Sequence, residues 1–126
     1  MYEKHSVGKN IRPFLETLYA RYKDGAAIDA IVDGQNEIEL YVDFSFYLAT
    51  RDGERAAIDF CMRLHRYLLQ YDLDRYVGNV LLAQATFFDR IGKAMSRDMY
   101  ALEAAEAFVH FGQFPAAEKA LAMVQA

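Results

Sequence analysis

Residues 37–50 read EIELYVDFSFYLAT, and their periodicity decides the fold class of the chain. Apolar and polar residues alternate along this stretch, which is typical of a half-buried strand. Leu40, Phe44 and Leu48 also recur at helical spacing, which is typical of a helix with one apolar stripe. A strand here would need a hairpin partner, and only the short apolar stretch just before it offers one. We therefore expect a helix, with an α+β fold carrying a β-hairpin near 28–48 as the alternative.

The rest of the chain has clear helical periodicity. The predicted helices follow from apolar spacing and from Gly, Pro, Ser and Asn at the ends, over residues 10–25, 55–70, 74–91, 96–112 and 115–124. The helix over 74–91 is apolar nearly all round, so it should be central and buried. With residues 1–9 as a flexible N-terminus, we expect a single helical domain over 10–126. The predicted fold is all-α, with about six or seven helices stacked as antiparallel hairpins.

The helix ends carry specific expectations. Ser96 should cap the helix that follows it, because a serine side chain accepts a backbone N–H at that position. Gly112 should end the same helix in a left-handed conformation. Replacing Gly112 with Ala should therefore be destabilising. The same change at Gly53 should be milder if Asp52 caps the next helix.

Composition excludes several classes of protein. The chain has 126 residues, of which 54% are hydrophobic and 25% charged, so it can form a globular core and is not a disordered polar chain. Its net charge of −4 argues against nucleic-acid binding. The single Cys61 excludes a disulfide scaffold. With no apolar leader and no apolar run of about 20 residues, a cytoplasmic protein with no membrane span is expected.

A short pattern recurs three times. It reads KDGAAID over residues 23–29, RDGERAAID over 51–59 and GQFPAAEK over 112–119. Its Ala-Ala pairs start at 26, 56 and 116, which gives spacings of 30 and 60 residues. We interpret each copy as a glycine turn between two helices, in which the small residues let the helix backbones approach closely.

The pattern resembles the tetratricopeptide repeat, best over residues 101–124. Gly112 falls on the turn glycine of the repeat, Phe114 on the aromatic residue after it and Ala117 on the small residue of the second helix. Phe108 falls on the bulky position of the first helix. The resemblance implies an α-solenoid whose first helices line a concave, peptide-binding face. In size, charge and pattern the chain also resembles the small chaperones of type III secretion subunits.

Catalytic and metal-binding motifs are scarce. Glu103, Glu106 and His110 fall on one helical face, but their spacing does not form the paired Glu-x-x-His motif of di-metal bundles. Cys61 lies in an apolar stripe beside His65, so we expect a buried structural thiol rather than a nucleophile. A modest basic cluster is expected to pair with neighbouring acids: Arg63, His65, Arg66 and Arg75. No catalytic residue, metal site or cofactor is predicted, and the chain is not expected to be an enzyme.

The aromatic content points instead to a binding surface. Nine Tyr, nine Phe and five Met exceed what a small core needs, and Tyr and Met are common at interfaces. The predicted partner-binding residues lie on the first helices of the proposed hairpins: Tyr19, Tyr22, Tyr41, Tyr47 and Tyr100. If these belong to the core, the terminal helices around Met99 and Met123 are the next choice.

The expected function is that of a protein-binding adaptor or secretion-type chaperone, which holds an amphipathic or basic segment of a partner protein. A homodimer is also possible. The alternative is an inhibitory or immunity-type protein that blocks a basic site on a partner enzyme through an acidic stretch: Asp33, Glu37, Glu39 and Asp43. A clustered acidic patch would favour the inhibitor, and an exposed apolar groove would favour the chaperone.

Overall fold

The computed structural model describes residues 11–32 and 38–124. Its α-helices, in chain order, are α1 (Ile11–Lys23), α2 (Ile28–Ile31), α3 (Ile38–Asp52), α4 (Glu54–Gln70), α5 (Val77–Arg90), α6 (Ala94–His110) and α7 (Phe114–Leu121). A 3-10 turn, Asp74–Tyr76, precedes α5. Helices account for 83% of these residues, and none of them lies in a strand. The all-α prediction is confirmed, and the β-hairpin alternative is wrong because α2 and α3 occupy its two predicted strands.

The chain divides into two compact units, Met1–Asn36 and Glu37–Ala126. The first contains α1 and the single-turn α2, in which Leu18 and Ile31 are buried. The second contains α3 to α7. The flexible N-terminus predicted for 1–9 lies outside the described residues, and the single domain predicted over 10–126 stays a prediction.

Helix α3 forms because its alternating sequence also carries a helical stripe. Its buried residues recur at intervals of three and four, which places them on one face of a helix: Ile38, Tyr41, Phe44, Ser45, Leu48 and Ala49. Phe44 meets Phe60 of α4 edge to face, with ring centroids 5.1 Å apart. This aromatic contact fixes one hairpin of the second unit.

In the second unit, each helix packs mainly on its neighbours in sequence, as the short turns between helices require. Helix α5 contacts α3, α4 and α6, and its buried residues lie on several faces. The central, buried helix predicted over 74–91 is therefore confirmed, although its first residues form the 3-10 turn. Helix α7 packs on α6. This series of hairpins is compatible with a helical-repeat fold, and the solenoid arrangement itself stays a prediction.

Helices α5 and α6 approach closely because both present small residues at their contact. Ala101 and Ala104 of α6 are fully buried. Gly78 of α5 lies against Phe108 of α6, where an added Cβ would sit 2.7 Å from ring atom Cε1. Glycine at position 78 is therefore a packing requirement of this helix pair.

Three helices of the second unit end in the same way. Asp72 (φ +58°), Gly92 (φ +78°) and Gly112 (φ +72°) adopt the left-handed conformation after α4, α5 and α6. In each case the next N–H donates to the carbonyl five residues earlier, over 2.8–2.9 Å, as in a Schellman motif: Leu73 to Leu68, Lys93 to Phe88 and Gln113 to Phe108. The helix-ending role predicted for Gly112 is confirmed.

Two predicted boundaries are wrong. Helix α6 begins at Ala94 after its N-cap residue Lys93, so Ser96 lies inside the first turn and does not cap the helix. The last helix ends at Leu121 rather than near Val124. Propensity patterns locate helix interiors well but their ends only to within a few residues.

Replacing Gly53 with Ala should destabilise the chain by about 2 kcal/mol, because its φ of 99° and ψ of 162° lie in a region open almost only to glycine. Gly112→Ala should cost about 1 kcal/mol, the usual penalty for a left-handed residue with a side chain. From the sequence, the smaller loss of stability was expected at Gly53, on the condition that Asp52 caps the next helix. In the structure Asp52 ends α3 and Gly53 itself is the N-cap residue of α4, so the larger loss is now expected at Gly53. Urea unfolding of both variants measures the difference, and an equal or larger loss at Gly112 would contradict it.

Candidate functional site

The five predicted binding tyrosines differ in their access to solvent. Tyr41 is only 1% exposed and belongs to the core, so it is withdrawn from the proposed surface. Tyr19 and Tyr22 are half-buried on α1, in the first unit. Tyr47 and Tyr100 are half-buried on α3 and α6, in the second.

Tyr47 and Tyr100 are held by contacts within the chain. The Tyr47 hydroxyl accepts a hydrogen bond from Arg51 over 2.7 Å, and the guanidinium lies 5.6 Å from the ring centroid. The Tyr100 ring stacks on Phe88 with centroids 5.1 Å apart. These two tyrosines contact different neighbours, and the contacts do not define one shared binding face.

A different group of apolar side chains is exposed. It lies on α6, on α7 and in the turn between them: Met95, Met99, Leu102, Val109, Phe111, Phe114 and Leu121. Met95 is 88% exposed, and Leu102, Val109 and Leu121 about half. Apolar side chains that adjoin one another on a surface are a common sign of an interaction site. Of this group, only Met99 was predicted from the sequence to lie at a binding surface, as part of the second choice.

An open groove of about 690 Å³ lies between α6 and α7. Its walls are mainly apolar, with two carboxylates and one imidazole among them: Leu102, Glu103, Ala105, Glu106, Val109, His110 and Leu121. We call this the α6–α7 groove. The short side chain of Ala105 forms part of its lining.

The titratable residues of the groove, Glu103, Glu106 and His110, are the ones that the sequence places on one helical face. Glu103 and Glu106 are exposed and lie about one turn apart on α6. Among residues 11–32 and 38–124, no three His, Cys, Asp or Glu side chains come together in a way that could hold a metal ion. The groove therefore offers apolar contact area with an acidic rim.

His65 of α4 lies within electrostatic reach of this rim. Burial lowers the pKa of His65, the Glu103 carboxylate opposes that effect, and Arg66 adds to it. The imidazole is therefore neutral at pH 7.

Cys61 is buried as expected. Burial raises the pKa of its thiol to about 12, against a smaller opposing effect of the hydrogen bond with Ser45. At pH 7 the sulfur is a neutral thiol, the form that is a poor nucleophile. In the basic cluster, Arg63 bonds to Asp59 over 2.8 Å, one turn away on the same helix.

The structure describes two of the four residues of the predicted acidic stretch. Glu39 and Asp43 lie on α3 and are half-buried, whereas Asp33 and Glu37 lie outside the described residues. A clustered acidic patch in this stretch therefore stays a prediction.

Comparison with known proteins assigns neither a family nor a function to the chain. No protein-family model, curated protein or solved structure matches the chain. Within the described ranges, no helix combines the length and the apolar character needed to cross a bilayer. The likeness to a tetratricopeptide repeat therefore rests on the sequence pattern and the helical hairpins alone, and function has to be argued from the exposed surface.

Proposed function

We propose that this chain is a protein-binding module that holds an amphipathic helical segment of a partner in the α6–α7 groove. It would act as an adaptor or as a secretion-type chaperone that shields such a segment, with a tetratricopeptide-like fold. The observation that carries the proposal is the exposure of apolar side chains along a groove between two packed helices. Grooves of this kind receive the apolar face of an amphipathic helix in many complexes.

The chemistry of the groove favours a peptide segment over a small polar ligand. Leu102, Val109 and Leu121 provide apolar contacts at separate points, whereas the polar side chains among the described lining residues are two glutamates and a histidine. The exposed carboxylates add attraction for positively charged side chains and speed up encounter with a basic partner. Both features match the amphipathic or basic segment expected from the sequence.

The experiment is co-purification from the native host at low salt, followed by identification of the partner and measurement of its affinity. Two variant pairs then separate the two functional classes. Leu102→Ser with Val109→Ser removes the apolar contacts of the groove without changing net charge. Glu39→Lys with Asp43→Lys reverses the charge on which the inhibitor alternative depends.

The groove variant should bind the identified partner about 30-fold more weakly, a loss of roughly 2 kcal/mol, because interface hot spots are buried apolar anchors. Its melting temperature should change little, since both side chains are about half exposed. Isothermal titration calorimetry measures the affinity.

Met62→Ser provides the matched control, because Met62 is 43% exposed on α4 and does not line the groove. Its partner affinity should stay within about twofold of wild type. An unchanged affinity in the groove variant, together with a large loss in the charge-reversed variant, would contradict the chaperone proposal and favour the inhibitor.

A further inference from the structure

Helix α6 presents an exposed stripe along nearly its whole length. Its members are separated by four, three, four and three residues: Met95, Met99, Leu102, Glu106 and Val109. All five are exposed. This alternation is the spacing by which one helix of a coiled coil meets another. We call these five residues the α6 seam.

The opposite face of α6 is already covered. Ala101, Ala104 and Phe108 are buried where α6 packs on α5. The helix is therefore apolar on two sides, and the described residues cover only one of them. At 1.5 Å per residue the seam is roughly 21 Å long.

The seam continues the α6–α7 groove toward the start of the helix. Leu102, Glu106 and Val109 line the groove, and Met95 and Met99 extend the same stripe beyond it. The two features together make one elongated apolar track with a carboxylate inside it.

We propose that the occupant of this track is a basic amphipathic α-helix of another protein, which lies lengthwise on the α6 seam and places Lys or Arg opposite Glu106. The inference rests on the proposed function and specifies its partner. Within the described chain Glu106 makes no ion pair. A carboxylate covered by an apolar helix would lose hydration at considerable cost unless the covering helix supplies a cation.

A second copy of the chain fits the seam less well. An antiparallel copy would pair the seam members in reverse order, which places the apolar Met99 opposite Glu106. The Glu106 carboxylate would then be covered by an apolar side chain with no cation to compensate its lost hydration. Charge complementarity favours a basic helix from a different protein.

The test uses two fluorescently labelled synthetic helices of about 20 residues, long enough to cover the seam. Both carry Leu at heptad spacing, and they differ only in having Lys or Glu at the positions that flank the Leu stripe. Fluorescence anisotropy with the full chain should show about tenfold tighter binding of the Lys peptide. Glu106→Lys should remove this preference, and Met95→Ser with Met99→Ser should weaken Lys-peptide binding about fivefold.

Two controls match these variants. Glu118→Lys makes the same charge change at an exposed position of α7 that does not line the groove, and its effect should stay below about twofold. Met62→Ser controls for the methionine variants.

Equal binding of the two peptides, no binding of either, or equal effects of Glu106→Lys and Glu118→Lys would overturn the inference. So would a dimer in analytical ultracentrifugation that Leu102→Ser dissociates, since a second copy would then occupy the seam. If the partner's affinity still depends on Leu102 and Val109, failure of the charge tests removes only this inference. If it does not depend on them, the proposed function fails as well.

Discussion

Tyr41→Ala is expected to lower the free energy of unfolding by about 3–5 kcal/mol, as other truncations of buried aromatic residues do. The side chain of Tyr41 is 1% exposed, on the face of α3 that also buries Phe44 and Leu48. Its removal leaves a cavity that the helices around it can fill only in part. Urea unfolding followed by circular dichroism measures the loss.

Tyr71→Ala is the matched control, because Tyr71 lies at the end of α4 and is about half exposed. Its loss should be about 1 kcal/mol or less. Tyr41→Phe separates the contribution of the hydroxyl from that of the ring. A Tyr41→Ala variant as stable as the control would mean that this position is not part of the core.

Gly78→Ala is expected to destabilise the chain by about 1–3 kcal/mol, as inserting a methyl group into a packed contact usually does. In an exposed helix the same change would stabilise by up to about 1 kcal/mol, since Ala is the better helix former. The sign is reversed here because the new Cβ would lie 2.7 Å from the buried Phe108 ring. Thermal and urea unfolding both report the change.

A double-mutant cycle with Phe108→Leu identifies the cause. Phe108→Leu alone should be destabilising because it leaves space beside Gly78. In that background Gly78→Ala should cost about 1 kcal/mol less than in wild type, or nothing, since residues in contact are energetically coupled. Additive effects of the two changes would show that the loss at Gly78 has another origin.

Much of the fold could be predicted from local sequence signals. Apolar spacing predicts the long helices, and Gly112 is predicted as a helix end because glycine readily adopts the left-handed conformation that ends helices. Its φ of +72° confirms this prediction. The buried face of α3 was harder to predict, because apolar residues fall on all sides of this helix. Tyr41 and Tyr47 look alike in such a pattern, yet tertiary packing buries one and leaves the other half-buried.

The α6–α7 groove could not be predicted from local sequence signals. On α6 the large side chains, such as Leu102 and Val109, look like core residues, and the alanines look like weak substitutes for them. The structure reverses these roles, because close approach to α5 requires small residues such as Ala101 and Ala104 at the contact. The signal in the sequence was the combination of a mid-helix glycine, Gly78, with alanines at helical spacing one helix later.

The packing of consecutive helices on one another has a kinetic consequence. In the second unit, the contacts of α4 with α5, of α5 with α6 and of α6 with α7 join residues separated by short stretches of chain. Each such contact closes a short loop. Closing a short loop costs the chain little conformational entropy. Topologies of this kind fold on a scale of roughly microseconds to milliseconds. Helices α3 to α7 should therefore assemble quickly by adding neighbours, without waiting for distant parts of the chain to meet.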